Sequence, residues 1–165
     1  MVRENEIRAG ETVVDMPATT DAGLVFIGRI RTPWTSRLLC PRQGRQDGPT
    51  CRLEIDPPWD QAMKGVEGYD QLEVLYWLHQ SRRDLVLQCP KNDGNPRGVF
   101  SLRTPVRPNP IGTSLVKLVG IEGNAILVRG LDCLDGTPLL DVKPDRCQFT
   151  PLAPQQPGDL EIGDP

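Results

Sequence analysis

Residues 102–115 read LRTPVRPNPIGTSL and contain three prolines, a glycine and two arginines. Each proline fixes its own φ angle, removes a backbone donor and biases the preceding residue towards extended geometry. A helix or a central strand is therefore excluded over most of this stretch. The segment predicts a stiff, shaped loop, and the fold has to be one whose strands can hold such a loop between them.

Short strand patterns surround this loop on both sides. QLEVLYWLH and DLVLQC precede it, SLVKLVGIEGNAILVRGL predicts a hairpin that turns at EGN, and LLDVK follows an LDGTP turn. Nearer the N-terminus, LVFIGRIR and CRLEI predict strands that end at prolines, and PWDQAMKGVEGYD predicts a helix of about two turns. These signals favour a mostly β fold, a single-sheet antiparallel β-barrel with one or two short helices.

Length and composition predict one domain. The chain has 165 residues, with 16 glycines and 17 prolines, which suits many short strands and turns. We expect an N-terminal tail over 1–22, the barrel domain over 23–150 and a C-terminal tail over 151–165. Either tail could fold back on the domain or on a partner.

Cysteine and histidine usage argues against a metal site. The five cysteines are scattered and never form a CxxC pair, and His79 is the only histidine. A disulfide framework or a structural zinc site is therefore not expected, and no two-histidine metal site can form within one protomer.

Charge and hydropathy narrow the class of protein. The net charge of −3 argues against nucleic-acid binding by bulk charge but leaves room for a local basic patch. The sequence has no run of eighteen apolar residues and no apolar segment after its N-terminal charges. We expect a soluble, cytoplasmic protein with no membrane contact.

Four segments carry candidate functional residues. Taken singly, a solvated loop arginine, a structural histidine at a strand end and an Asp-Gly turn are the commoner roles. The proline loop is different, because rigid φ angles would aim its guanidinium groups at an anion with little loss of loop entropy. The segments are CPRQ at 40–43, HQ at 79–80, the loop with Arg97, Arg103 and Arg107, and LDCLDGTPLLDVKP with Asp132, Asp135, Asp141 and Lys143.

In this order, the blocks CPRQ, HQ, RGVFSLRTPVRPNPIGTSL and LDGTPLLDVKP resemble a family of tRNA methyltransferases. This family, known as TrmO or TsaA-like, acts on N6-threonylcarbamoyladenosine, and the resemblance spans roughly residues 25–144. It implies a compact β-barrel of the non-Rossmann type that acts as a homodimer on tRNA. It also implies that S-adenosylmethionine is bound by the motif loops near the subunit interface.

The resemblance also implies roles for individual residues. Arg103 is expected to meet the cofactor, whereas Arg107 is expected to meet RNA phosphates. The implied cofactor contacts are Pro41, Arg42, Gln43, His79, Gln80, Arg103, Leu115, Asp135, Gly136, Thr137 and Pro138. The implied substrate contacts are Arg97, Arg107, Asn109 and Lys143. The candidates that could take or polarise the proton are His79, Asp132 and Asp135, which the sequence does not rank.

Two departures from the family pattern leave alternatives open. KPD at 143–145 stands where the family usually has KPY, and only about twenty residues follow Pro144, where bacterial members commonly carry a second domain. One alternative is a methyltransferase of the same fold that acts on another RNA or a small metabolite. The other is a non-catalytic barrel that binds a ligand or RNA.

Overall fold

Nine β-strands form two sheets in the computed structural model, which describes residues 6–156. The strands are β1 Thr12–Val13, β2 Gly28–Arg31, β3 Cys51–Ile55, β4 Gln71–Trp77, β5 Leu85–Gln88, β6 Arg97–Gly98, β7 Ile111–Glu122, β8 Ala125–Arg129 and β9 Thr137–Pro144. The helices are α1 Arg146–Phe149 and the short 3-10 helices Trp59–Met63, Val66–Gly68, Val99–Ser101 and Thr150–Leu152.

Six antiparallel strands close into a barrel in the order β2-β3-β8-β7-β4-β9. Strand β9 completes the closure because Leu139 lies opposite Gly28 of β2 and opposite Tyr76 of β4. A bulge in the β4–β9 pairing lies next to Tyr76, and bulges bend a strand and increase its twist. The predicted mostly β, antiparallel barrel is confirmed.

Alternation along the strands fills the barrel with aliphatic side chains. Every second residue of β3 and of β4 is buried, as expected where one face of a strand packs on a core. The fully buried members of this core include Ile30, Leu53, Leu72, Val74, Val116, Ile126, Val128 and Leu139. The barrel is therefore a packed core, and ligands have to bind at its ends or outside it.

A second, three-stranded sheet stands beside the barrel. Its order is β1-β5-β6, and a small core of Leu85, Val99 and Val106 supports it. Because β1 pairs with β5, part of the N-terminal segment folds back on the domain. The segment DLVLQC therefore contributes to this separate sheet and not to the barrel.

Several local predictions need correction. The helix predicted over PWDQAMKGVEGYD is two 3-10 turns, because Gly65 between them adopts a left-handed φ of 93°. Strand β2 begins only at Gly28, and the preceding apolar residues 24–26 are exposed. The stiff loop ends at Pro110, since the last five residues of LRTPVRPNPIGTSL already belong to β7.

At the C-terminal end, α1 and a 3-10 turn follow the barrel. The side chain of Gln148 accepts a hydrogen bond from the backbone N–H of Gln71 at 3.0 Å, which ties α1 to the start of β4. The remainder of the predicted C-terminal tail, residues 157–165, lies outside the described residues.

Gly112 of β7 is needed for the packing of Tyr76. A Cβ atom built at Gly112 would lie 2.2 Å from Cε2 of the Tyr76 ring. We expect Gly112→Ala to lower the free energy of unfolding by about 1–3 kcal/mol through overpacking, measured by urea denaturation. Gly120→Ala on the same strand is the matched control, because a Cβ there meets nothing within 4 Å. Equal stability of the two variants would contradict this packing.

Candidate active site

A cleft of about 1430 Å³ is lined by both sheets and by the motif loops. The barrel contributes Tyr76, Ser114 and Thr137, and the small sheet contributes Gln88. The cleft is large enough for a nucleoside ligand, since pockets for small molecules commonly measure about 300–1000 Å³. It is therefore the candidate active site.

A hydrogen-bonded carboxylate lies in this cleft. The hydroxyl of Tyr76 donates to Oδ1 of Asp132 at 2.7 Å and lies 2.9 Å from the hydroxyl oxygen of Ser114. Burial raises the pKa of Asp132, and hydrogen bonds from Tyr76, the Gly44 amide and Ser114 oppose that shift. A raised pKa makes this carboxylate a better proton acceptor than an ordinary surface aspartate.

The loop that carries CPRQ is fixed by a close backbone approach. A Cβ atom at Gly44 would lie 1.9 Å from the carbonyl oxygen of Gly130, so only glycine fits there. This approach holds Pro41, Arg42 and Gln43 along the cleft. The neighbouring Cys40 thiol has a raised pKa because of burial and the Asp132 charge, so it remains protonated and is a poor nucleophile.

Two arginines hold the proline loop in shape. Arg107 Nη1 donates to the carbonyl oxygens of Leu102 at 3.0 Å and Thr104 at 3.1 Å. Arg83 Nε donates to the Pro108 carbonyl oxygen at 2.5 Å, and its guanidinium carbon lies 5.3 Å from the centre of the Trp77 ring. Arg107 thus has a structural part in the loop, whatever substrate contact its remaining donors make.

The DGTP turn is attached to strand β2 and the loop that follows it. Asp135 Oδ1 accepts from the Thr32 amide at 3.1 Å, and its Oδ2 lies 3.7 Å from Nη1 of Arg31. The Thr137 hydroxyl donates to the Leu134 carbonyl oxygen at 2.7 Å. Asp135 therefore supports the turn and does not line the cleft, whereas Thr137 does.

The structure brings most of the sequence-predicted residues together. Pro41, Arg42, Gln43, His79, Gln80, Arg103, Arg107, Asn109, Leu115, Asp132 and Thr137 line the cleft. Asp135, Gly136, Pro138, Arg97 and Lys143 do not line it. Lys143 forms an ion pair with Asp141 of its own strand, and Arg97 lies on β6 opposite Gln88.

The replacement of the usual tyrosine by Asp145 lies away from the cleft. Asp145 is the N-cap residue directly before α1, and its carbonyl oxygen accepts from the amides of Gln148 and Phe149 at 3.0 Å each. Its backbone N–H donates to the Gln71 carbonyl oxygen. Asp145 is not among the residues that line the cleft, so this departure leaves the candidate site unchanged.

Four cleft or loop residues were not predicted as functional. Tyr76 and Gln88 follow apolar strand patterns that indicate only core positions, Ser114 lies in the RGVFSLRTPVRPNPIGTSL block without a predicted role, and Arg83 belongs to no motif. The alternation of β4 was a usable signal, because it places a hydroxyl-bearing side chain on the inward face. Pairing it with Ser114 and Asp132 required the barrel register.

Within residues 6–156, no group of three or more histidine, cysteine or acidic side chains is arranged to hold a metal ion. Over the same residues, none of the helices has the length and apolar character needed to span a bilayer.

Comparisons with known proteins agree with this architecture. A family model described as the tRNA-methyltransferase O N-terminal domain matches residues 29–149. A protein of Rhizobium radiobacter named "Probable S-adenosyl-L-methionine-binding protein VirR" is 59% identical over 154 residues, which cover 93% of this chain and 88% of VirR. The Escherichia coli K12 protein named "tRNA (adenine(37)-N6)-methyltransferase" is 37% identical over 142 residues.

A solved structure has the same fold. The crystal structure of a TrmO protein superimposes with a TM-score of 0.64 at 32% identity, over 89% of this chain and 66% of that one. The present chain spans 59% of the E. coli relative. The fold is a non-Rossmann β-barrel with a cleft at its side, and the family match places it in the methyltransferase class. The chain belongs to the tRNA-methyltransferase O N-terminal domain family.

The hydrogen bond from Tyr76 should control the protonation of Asp132. Because this bond favours the charged carboxylate, Tyr76→Phe should raise the Asp132 pKa further. Carbon-13 NMR titration of the Asp132 carboxyl measures this shift. Tyr69→Phe serves as the control, since Tyr69 lies outside the cleft. An unchanged or lower Asp132 pKa in Tyr76→Phe would show that the bond does not stabilise the charge.

Proposed function

We propose that this chain is an S-adenosylmethionine-dependent methyltransferase that modifies N6 of threonylcarbamoyladenosine at position 37 of tRNA. The observation that carries the proposal is the Asp132 carboxylate, held by Tyr76 and Ser114 in a cleft lined by the motif loops. The names of VirR and of the E. coli relative support the cofactor and the tRNA substrate.

The cleft suits an adenine nucleoside cofactor in size and in chemistry. Polar groups of the CPRQ, HQ and proline-loop segments line it, and a buried acceptor, Oε1 of Gln88, has no partner within the described structure. S-adenosylmethionine would supply a methyl group already activated on a sulfonium. The cleft residues that would hold it are Pro41, Arg42, Gln43, His79, Gln80, Arg103, Leu115 and Thr137. The DGTP-turn residues that do not line the cleft, Asp135, Gly136 and Pro138, would hold the turn in position next to the cofactor.

The chemical task left to the protein is alignment and proton removal. A urea-like N6 nitrogen is a weak nucleophile, so a base that takes its proton assists the transfer. We assign this role to Asp132, because it is half-buried in the cleft and has a raised pKa. His79 lines the same cleft but is exposed, and we assign it to binding. Rigid loops supply the orientation.

Arginines along the cleft suit an RNA substrate. Arg107 and Asn109 line the cleft, so the guanidinium donors that Arg107 does not use within the proline loop can meet anticodon-loop phosphates or the threonyl carboxylate. Arg42 and Arg103 stay assigned to the cofactor. Arg97 and Lys143 would take part only where tRNA extends beyond the cleft. A local basic lining is compatible with a net charge of −3.

The substrate assignment is tested on purified protein with two tRNA preparations, one carrying threonylcarbamoyladenosine at position 37 and one with plain adenosine there. Mass spectrometry of the digested nucleosides should show methylation of the first only. Methylation of plain adenosine would agree with a tRNA methyltransferase but would contradict threonylcarbamoyladenosine as its substrate. No methylation of either tRNA would contradict the proposed function.

Asp132→Asn should lower the methylation rate by about 100-fold or more, the usual contribution of a general base. S-adenosylhomocysteine should still bind to this variant within a few-fold, as calorimetry would show. Asp135→Asn is the matched comparison, because Asp135 supports the turn from outside the cleft. If Asp135→Asn loses activity while Asp132→Asn keeps it, our assignment of the base is wrong.

We further propose a cytoplasmic homodimer with an interface next to the CPRQ loop. Leu38 and Leu39 directly precede that loop and are 63% and 60% exposed, and symmetric pairing would cover them. Light scattering at micromolar concentration should give twice the mass of one chain. A single-chain mass would contradict the dimer without affecting the methyltransferase assignment.

A further inference from the structure

The side chain of Gln88 is buried in the wall of the cleft and lacks a hydrogen-bond partner at its oxygen. Gln88 is 5% exposed, and its Oε1 is a buried side-chain acceptor without a partner in the described residues. Buried polar atoms are nearly always paired, so an orphan of this kind calls for an explanation. Because Gln88 also lines the cleft, a ligand that carries an N–H donor is the explanation that fits its position.

The position of Gln88 is fixed from the N-terminal segment. Glu11 accepts a hydrogen bond from the Cys89 amide at 2.9 Å through Oε1 and one from the Arg8 amide at 2.9 Å through Oε2. The buried Arg8 guanidinium donates to the carbonyl oxygens of Cys89 at 3.2 Å and Pro90 at 3.1 Å. The backbone next to Gln88 is therefore held by residues outside the family match at 29–149.

The same wall carries an exposed aromatic ring. Phe100 is 80% exposed, lines the cleft and lies in the 3-10 helix that follows β6, the strand paired with β5. Exposed aromatic rings commonly stack on nucleobases, and glutamine commonly pairs with the N6 amine and N7 of adenine. A carboxamide acceptor and an aromatic ring on one wall together match an adenine base.

We propose that Gln88 accepts a hydrogen bond from N6–H of an adenine base in the cleft and that Phe100 stacks on that base. This assignment rests on the proposed function, which supplies the cofactor adenine and the unmodified adenines of the tRNA. The base at position 37 itself is excluded, because N6 of threonylcarbamoyladenosine carries a single hydrogen and that proton is assigned to Asp132.

The test replaces Gln88 with leucine, which has a similar volume and no acceptor. Calorimetry measures the affinity of each protein for S-adenosylhomocysteine and for an anticodon stem-loop RNA. Gln88→Leu should bind one of these probes roughly 3- to 10-fold more weakly, the loss expected for one hydrogen bond. The melting temperature should stay the same or rise, because leucine removes a buried orphan acceptor. Gln61→Leu is the control, since Gln61 is exposed and lies outside the cleft.

Inosine counterparts of both probes identify the base that Gln88 contacts. In the inosine form an oxygen replaces the N6 amine, so wild-type protein should lose affinity for the matching probe while Gln88→Leu should not discriminate. Loss confined to S-adenosylhomocysteine assigns the cofactor adenine, and loss confined to the RNA assigns an unmodified adenine of the tRNA.

Equal affinities of wild type and Gln88→Leu for both probes would overturn the inference and leave the proposed function standing. If wild-type protein bound neither probe, both the proposed function and this inference would fall.

Discussion

The hydrogen bond between Tyr76 and Asp132 joins the barrel to the candidate site. Tyr76 lies on β4, which pairs with both β7 and β9, and its ring occupies the space that a side chain at Gly112 would fill. Its hydroxyl then meets Ser114 on β7 and Asp132 in the segment after β8. Closing the barrel therefore places the carboxylate, so the site cannot form without the correct strand register.

The cleft depends on two walls with different origins. The barrel wall carries the motif loops and lies within the family match at 29–149. The opposite wall belongs to the β1-β5-β6 sheet. Arg8 and Glu11, which precede residue 29, complete this wall through hydrogen bonds to the backbone of Cys89. A segment expected to be a tail is thus a structural part of the candidate site.

The sequence predicted what local chemistry determines. Apolar runs bounded by prolines or turn residues predicted the barrel strands, the EGN turn predicted the hairpin of β7 and β8, and the prolines predicted the stiff loop. The sequence could not predict contacts that depend on register and burial. The sequence did not rank His79, Asp132 and Asp135 as candidates for taking the substrate proton. Only the closed barrel puts Asp132 beside Tyr76 and attaches Asp135 to Thr32.

The sequence could not predict the long-range hydrogen bonds that hold the proline loop, for the same reason. Arg83 lies 25 residues from the carbonyl of Pro108 that it binds, and no motif connects them. The segment after Pro58, which was predicted as one helix, forms two 3-10 helices because Gly65 between them adopts a left-handed conformation. Local propensity is a weak guide where one residue can interrupt the hydrogen-bond pattern.

The central claim is that the cleft between the barrel and the small sheet binds the methyl donor. A crystal structure with S-adenosylhomocysteine tests it most directly. The ligand should lie in this cleft, in contact with residues 41–43 and 79–80 and with its homocysteine sulfur on the side of Asp132. A ligand bound elsewhere, such as in the shallow pocket beside Asp60 and Asn124, would contradict this assignment of the cleft.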